Sequence, residues 1–206
     1  NGLVKSAQKI SISYGGLSSF YTIASSDYFG VSSVGIGDVD GDGVNDLVVG
    51  AHGGDDGGSD AGSVYVLFLQ AACPTPTPTM TPTMTLAPTG TPAPTTDGCV
   101  SDGTVASAQK ISNSYGGLSS FYTIASSDYF GRSSTSIGDV DGDGGDDLVV
   151  GATGDDDGVT GAGAIYVLFL TTNGLVKSAQ KISNSYGGLS SFYTIASSDN
   201  FGVSSA

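Results

Sequence analysis

The side chains in this sequence best suited to chemistry are aspartates in two short runs. The first run, DVDGDGVND, spans residues 38–46, and the second, DVDGDGGDD, spans residues 139–147. Carboxylates at positions 1, 3, 5 and 9 of a tight loop can converge on one point, and the backbone carbonyl at position 7 can join them. Glycine at position 6 allows the sharp bend that this requires. The two runs therefore predict two cation-binding loops.

An all-oxygen ligand set of this kind favours Ca²⁺ over Mg²⁺. The predicted ligands are Asp38, Asp40, Asp42, the Val44 carbonyl and Asp46 in the first loop, and Asp139, Asp141, Asp143, the Gly145 carbonyl and Asp147 in the second. Two carboxylates about 5 Å apart repel by roughly 3 kcal/mol at an effective dielectric near 20, so a bound cation would relieve strain. An acidic turn without metal is the alternative. An EF-hand is excluded because it needs flanking helices and a glutamate at position 12, and the chain has no glutamate.

An internal repeat must position these loops. The string SAQKIS begins at Ser6, Ser107 and Ser178, which lie 101 and then 71 residues apart. A repeat of 71 residues with one insertion of 30 residues accounts for both steps. The predicted organisation is the end of a preceding repeat at 1–28, unit 1 at 29–71, an insertion at 72–101, an outer strand and connection at 102–129, unit 2 at 130–172 and a partial third repeat at 173–206.

Short strands joined by glycine-rich turns are predicted within each unit. Residues 63–69 are apolar on both alternating faces, as expected for a strand buried between two layers. Residues 46–51 and 34–38 predict two shorter strands, and residues 6–11 predict a more polar outer strand. The sequence thus predicts an all-β fold of four-stranded antiparallel propeller-like blades, with two complete units and partial repeats at both ends.

The insertion alternates proline and threonine between Cys73 and Cys99. Such a tract cannot form a helix or a sheet interior and is expected to be extended. We expect a Cys73–Cys99 disulfide, which implies an oxidising compartment, although two free thiols are the alternative. The predicted O-glycosylation sites are Thr75, Thr77, Thr79, Thr81, Thr83, Thr85, Thr89, Thr91, Thr95 and Thr96.

Charge narrows the choice of partners. The chain of 206 residues has a formal net charge of −14. Phosphate backbones and anionic lipid would repel it, so nucleic acid and membrane surfaces are poor candidates and divalent cations are good ones. No apolar run approaches the ~18–20 residues of a membrane span. Both ends fall inside a repeat, so we expect either a slice of a longer array or open edges that neighbouring copies fill.

Three further patterns are less specific: second acidic turns, repeated lysines and repeated aromatic residues. Second acidic turns at residues 55–60 and 155–157 are expected to be solvated hairpin turns, with a second cation site as the alternative. Lys9, Lys110 and Lys181 are interpreted as repeated surface charges on edge strands. The aromatic residues Phe20, Tyr21, Tyr28 and Phe29, with their counterparts Phe121, Tyr122, Tyr129 and Phe130, are interpreted as packing between blades, with a sugar-stacking platform as the alternative.

Residues 29–69 and 130–170 resemble the FG-GAP repeat of integrin α-chain β-propellers and bacterial surface proteins. The resemblance rests on the FG pair, the nine-residue acidic loop and the following Gly-Ala pair. It implies a blade with Ca²⁺ held in the loop between its first two strands. It also implies that SAQKIS is the outermost strand, so that the insertion separates the third strand of the first blade from its fourth.

These observations predict a calcium-stabilised, non-enzymatic structural or adhesive repeat protein outside the cell. We expect copies of the chain to assemble into a filament or surface appendage by pairing edge strands. A ligand-binding closed propeller of cell-adhesion type, recognising a protein or a glycan, is the alternative. His52 is the only histidine, and nothing in the sequence marks a nucleophile elbow or an oxyanion site, so no enzyme is predicted.

Overall fold

The computed structural model describes residue 3, residues 6–72 and residues 100–204, and over these it forms two four-stranded antiparallel sheets. The first sheet contains β1 (Ser33–Gly35), β2 (Leu47–Ala51), β3 (Ser63–Ala72) and β4 (Val100–Ile111), in that order. The second contains β5 (Phe130–Gly138), β6 (Asp147–Ala152), β7 (Ala164–Leu170) and β8 (Val176–Ile182). The helical elements of the described residues are 3₁₀ turns of three residues. The predicted all-β fold with two blade-like units is confirmed.

The third strand of each unit is the centre of its sheet. In β3, Val64, Tyr65, Val66 and Leu67 are all fully buried, as the apolar pattern on both faces predicts. Strand β3 pairs with β2 on one side and with β4 on the other. Strand β7 has the same two kinds of neighbour in the second sheet.

The first copy of SAQKIS does not form the predicted outer strand. Residues 6–11 contain only an isolated bridge from Ser11 to Tyr14. The second and third copies lie in β4 and β8, where each pairs with the third strand of the unit before it. Among the described residues, no strand pairs with the first copy.

The two sheets pack face to face. Val48, Val64, Val66 and Phe68 of the first unit share one core with Leu148, Val150, Tyr166 and Leu168 of the second. The opposite face of the first unit, which includes Tyr65 and Leu67, is covered by residues 10–29. The segment after β4 covers the second unit in the same way, since Leu118 and Ile124 lie in one buried cluster with Tyr166 and Leu168.

Glycines allow the close approach of one unit to the next. A Cβ at Gly50 would lie 2.1 Å from the Gly131 carbonyl oxygen of the second unit, and one at Gly151 would lie 1.9 Å from the Gly202 carbonyl. Ser32 donates its hydroxyl to the Gly131 carbonyl at 3.1 Å, and Ser133 donates to the Gly202 carbonyl at 2.8 Å. The start of the third repeat therefore docks on the second unit as the second docks on the first.

The interpretation of the lysines as surface charges is wrong for two of the three. Lys110 and Lys181 are 7% and 6% exposed. The Lys181 ammonium lies 2.6 Å from Asp155 and 2.5 Å from Asp157, while Lys110 pairs with Asp56. Asp56, Asp155 and Asp157 belong to the second acidic turns. These turns were expected to be solvated, but at these three positions the carboxylate pairs with a buried lysine. Only Lys9 is exposed, as interpreted.

The aromatic residues divide into two groups. The ring centroids of Tyr21 and Phe29 each lie 5.5 Å from that of Tyr65. Both rings are packed, but the contact of Phe29 lies within unit 1 rather than between blades. Tyr122 and Phe130 pack on Tyr166 in the same manner. Phe20, Phe121 and Tyr28 are 41%, 43% and 61% exposed, so the packing interpretation does not hold for these three rings.

The central part of the insertion lies outside the described residues. This applies to Cys73, Cys99 and all ten threonines predicted to carry glycans, so the disulfide and the glycosylation stay predictions. The backbone pairing of β3 with β4 extends to Ala72 opposite Val100. Each cysteine is therefore the next residue along the chain from a paired position.

Candidate metal centre

Each acidic run forms the connection between the first and second strands of its sheet. The first connection joins β1 to β2 and the second joins β5 to β6. Gly43 and Gly144, at position 6 of each run, have φ values of +90° and +94°, a conformation that only glycine adopts easily. The bend expected from the sequence is therefore present in both loops.

Three carboxylates converge in the first loop. One oxygen from each of Asp38, Asp40 and Asp42 lies within 4.8 Å of the others. All three side chains are exposed. Backbone amides orient them, since Gly41 and Gly43 donate to the two oxygens of Asp38, each at 2.9 Å. The loop thus presents a cluster of negatively charged oxygens to solvent.

Asp46 connects the first loop to the third strand of its sheet. It is 2% exposed, and its two oxygens accept N–H groups from Val39 at 2.9 Å and from Leu69 at 3.0 Å. Burial raises its pKa to about 6, the two backbone amides act against this shift, and the charges of Asp40 and Asp42 add to it. A cation in the loop would favour the ionised form of Asp46.

The second loop repeats this arrangement with one difference. Here the converging carboxylates are Asp139, Asp141 and the fully buried Asp147. Asp147 accepts N–H groups from Val140 at 2.9 Å and from Leu170 at 3.3 Å. Asp143 is not one of these three carboxylates, and it pairs with Lys177.

Lys177 distinguishes the two loops. Its ammonium lies 2.8 Å from Asp141 and also contacts Asp143. Hydrogen bonding to Lys177, and then to the Gly145 N–H, lowers the pKa of Asp143. The corresponding residue of the first unit is Ala106, so the first loop has no ammonium there. The second loop therefore carries a counter-charge at a position where the first unit has alanine.

The donor chemistry of both loops fits a hard divalent cation. The converging groups are all carboxylate oxygens, which Ca²⁺ and Mg²⁺ prefer. Asp46 in the first loop and Asp143 in the second lie outside the group of three that converges. The buried Val44 and Gly145 stand at position 7, and their carbonyls stay predicted ligands.

Sequence reasoning missed two functional features. The contact between Lys177 and the second loop had a visible signal, because the third copy reads VKSAQK where the second reads VASAQK. The contact of Arg132 with His52, at 2.7 Å, had a fainter one. Arg132 stands where the neighbouring repeats carry valine, and His52 stands where the second unit carries threonine.

The fold and the loops together define an all-β repeat protein in which each blade-like unit carries an acidic loop between its first two strands. The family model of the FG-GAP repeat matches residues 30–67 and 130–168. The chain therefore contains two FG-GAP repeats, one in each sheet. No curated protein matches it.

FG-GAP repeats occur in several kinds of protein. FG-GAP repeats are non-enzymatic structural or ligand-binding repeats, found in integrin-type β-propellers, in adhesive proteins and in extracellular or surface proteins. They often bind calcium. Within residues 6–72 and 100–204, no helix is long and apolar enough to cross a membrane.

Proposed function

We propose that this chain is a calcium-stabilised structural module of an extracellular adhesive protein, and that its units associate with further units of the same kind. The observation that carries the proposal is the convergence of three carboxylates in each of two equivalent loops. Like charges held this close raise the free energy of the fold unless a cation compensates them.

Calcium in each loop would brace the unit from within. The loop joins the first two strands, and Asp46 and Asp147 connect it to the third strand through the Leu69 and Leu170 amides. An ion held by these carboxylates would therefore stabilise three strands at once. At a free Ca²⁺ concentration about 100-fold above the dissociation constant, each loop would gain about 2.7 kcal/mol of stability.

The packing of the two units supports association through sheet faces. Val64, Val66 and Phe68 are buried beneath the second unit. Their counterparts in β7, Ile165, Val167 and Phe169, are only half-buried. A face that is covered in one unit and partly open in the next can accept another unit by the same contacts. We propose this face-to-face mode in place of the edge-strand pairing expected from the sequence.

Two measurements test this proposal. EGTA should lower the melting temperature sharply, and an unchanged melt would contradict a structural role for calcium. Sedimentation at micromolar concentration should show association that Val167→Asp abolishes, with Lys9→Asp as the control at an exposed site outside the face. A monodisperse monomer would contradict association between copies of this chain.

Negative-stain images distinguish the two architectures. Fibres favour a filament or surface appendage, whereas discrete discs favour a closed propeller that presents its loops to a ligand. The pairing of Ala72 with Val100 supports the proposed Cys73–Cys99 disulfide, because each cysteine is the chain neighbour of one residue of this pair. Such a bridge would suit the oxidising conditions outside the cell.

A further inference from the structure

A cleft opens between the two units, at the end of β2 away from the acidic loop. It encloses about 620 Å³ and its lining includes Tyr28, His52, Asp60, Tyr129 and Arg132. A second hollow of about 380 Å³ shares His52, Tyr129 and Arg132 and adds Thr153 and Asn200. Both volumes fall in the range of small-molecule sites. The cleft lies between two units that are both present in this chain.

Arg132 is the feature that departs most from the repeat. It is the only arginine of the chain, and the equivalent residues are Val31 and Val203. Among the described residues every ion pair is made by a lysine, so the exposed guanidinium has no carboxylate partner there. A guanidinium without a carboxylate partner can bind an external anion through charge-assisted hydrogen bonds.

His52 holds this guanidinium in place. It is the only histidine, it replaces the Thr153 of the second unit, and its side chain is buried at 8% exposure. Arg132 donates from Nη1 to His52 Nε2 at 2.7 Å, so the ring proton resides on Nδ1. That Nδ1 is buried without a partner among the described residues. Burial, and then the charge of Arg132, lower the pKa of His52 and keep it a neutral acceptor.

The arginine fork is therefore fixed on one side and open on the other. One guanidinium nitrogen is committed to His52, which leaves the remaining N–H groups free to bind a planar anion. A carboxylate matches this fork in two parallel hydrogen bonds. A buried His52 Nδ1 without a hydrogen-bond partner lowers the stability of the fold. Such a group is typical of a side chain that is placed for binding rather than for packing.

The walls of the cleft indicate what the carboxylate is attached to. The Tyr28 ring is 61% exposed and lies 4.8 Å from the His52 ring centroid, with Tyr129 at 5.7 Å on the other side. These rings offer a flat apolar surface beside the guanidinium. Asp60 and the more distant Thr153 and Asn200 supply acceptors and donors suited to hydroxyl groups.

We propose that this cleft binds a pyranose sugar bearing one carboxylate, the uronic acid class, with Arg132 on the carboxylate and Tyr28 against the ring. A polyanion is disfavoured because the rest of the chain would repel it. An acidic peptide would leave the polar groups of Asp60 and Asn200 without hydroxyl partners. The inference does not rest on calcium in the loops, which lie at the other end of β2.

Saturation-transfer NMR and calorimetry with glucuronate test the proposal on the full chain. Arg132→Val and His52→Thr are suitable variants because each introduces the residue found at the same position of another repeat. Lys9→Val is the control, since it removes an exposed cation far from the cleft in sequence. Thermal melting of all four proteins checks that the fold is retained.

Glucuronate should bind, and Arg132→Val should weaken it about tenfold or more, as expected for loss of hydrogen bonds to a charged group. His52→Thr should weaken it less, and Lys9→Val should leave it unchanged. Glucose and acetate should each bind at least several-fold more weakly. Equal binding of glucose or acetate, tighter binding of N-acetylaspartate, or unchanged binding by Arg132→Val would overturn the proposal. Because the measurement does not require calcium, its failure leaves the calcium proposal untouched.

Discussion

Replacement of Lys181 by methionine should destabilise the protein strongly, because it would leave a buried carboxylate without its cation. The Lys181 ammonium lies 2.6 Å from Asp155 and 2.5 Å from Asp157, and Asp155 is 2% exposed. Burial opposes the charge of Lys181, but its hydrogen bonds to the two aspartates outweigh this and raise its pKa. The ammonium is therefore charged throughout the physiological range.

The size of the effect follows from this burial. Removal of one partner from a buried ion pair typically costs about 3–5 kcal/mol. Domains are stable by only about 5–15 kcal/mol, so the loss would be a large fraction of the total. We expect at least about 3 kcal/mol less stability in urea denaturation at pH 7.5. A triple variant that also carries Asp155→Asn and Asp157→Asn should recover most of it.

The repeat provides a matched control in Lys9. This residue stands at the same position of the first copy, but it is exposed and its ammonium lies 5.2 Å from the Tyr14 ring centroid. Lys9→Met should change stability by less than about 0.5 kcal/mol. If Lys181→Met and Lys9→Met were equally mild, the reasoning that Lys181 neutralises a buried carboxylate would be refuted.

Three further predictions concern a close backbone contact, a buried carboxylate and the ammonium beside the second loop. Gly50→Ala would place a Cβ 2.1 Å from a backbone oxygen of the second unit, and it should lower the free energy of unfolding in urea by about 2–3 kcal/mol. Gly35→Ala is the control, because its nearest backbone atom would lie 4.0 Å away, and it should lower the free energy of unfolding by less than half as much. Burial raises the pKa of Asp128 from 3.8 to about 6, so its carboxylate destabilises the fold above pH 6 and stability is regained as the pH falls towards 4. Asp128→Asn should remove this pH dependence and add up to about 3 kcal/mol at pH 7.5, and a profile that keeps its slope would contradict it. Lys177→Ala should tighten calcium binding to the second loop, and Ala106→Lys should weaken calcium binding to the first, as measured by calorimetry. Unchanged affinities in both variants would show that the ammonium does not compete with calcium for the carboxylates.

The strands and acidic loops could be predicted because their signals are local. Strand β3 is apolar on both faces over consecutive residues, and the loop glycines follow directly from the spacing of the aspartates. The outer strand at residues 6–11 was predicted wrongly, because a strand also needs a partner strand, which the local pattern does not supply.

The environment of the lysines could not be predicted from their own segment. Lys181 is buried because Tyr166, Tyr186 and the turn at residues 155–157 meet around it, and these lie elsewhere in the chain. The cleft at Arg132 depends in the same way on His52, which is 80 residues away. The contrast between repeats does mark Arg132 and His52 as departures from the pattern, and it marks Ala106 as the one copy without a lysine at the position of Lys177.

The central claim concerns the ion in the two loops, and the most direct measurement is calcium binding by calorimetry with native mass spectrometry for stoichiometry. Two Ca²⁺ should bind per chain, and Asp40→Asn and Asp141→Asn should each abolish binding at one of the two loops. A chain that holds no calcium at millimolar concentrations of the free ion would contradict it.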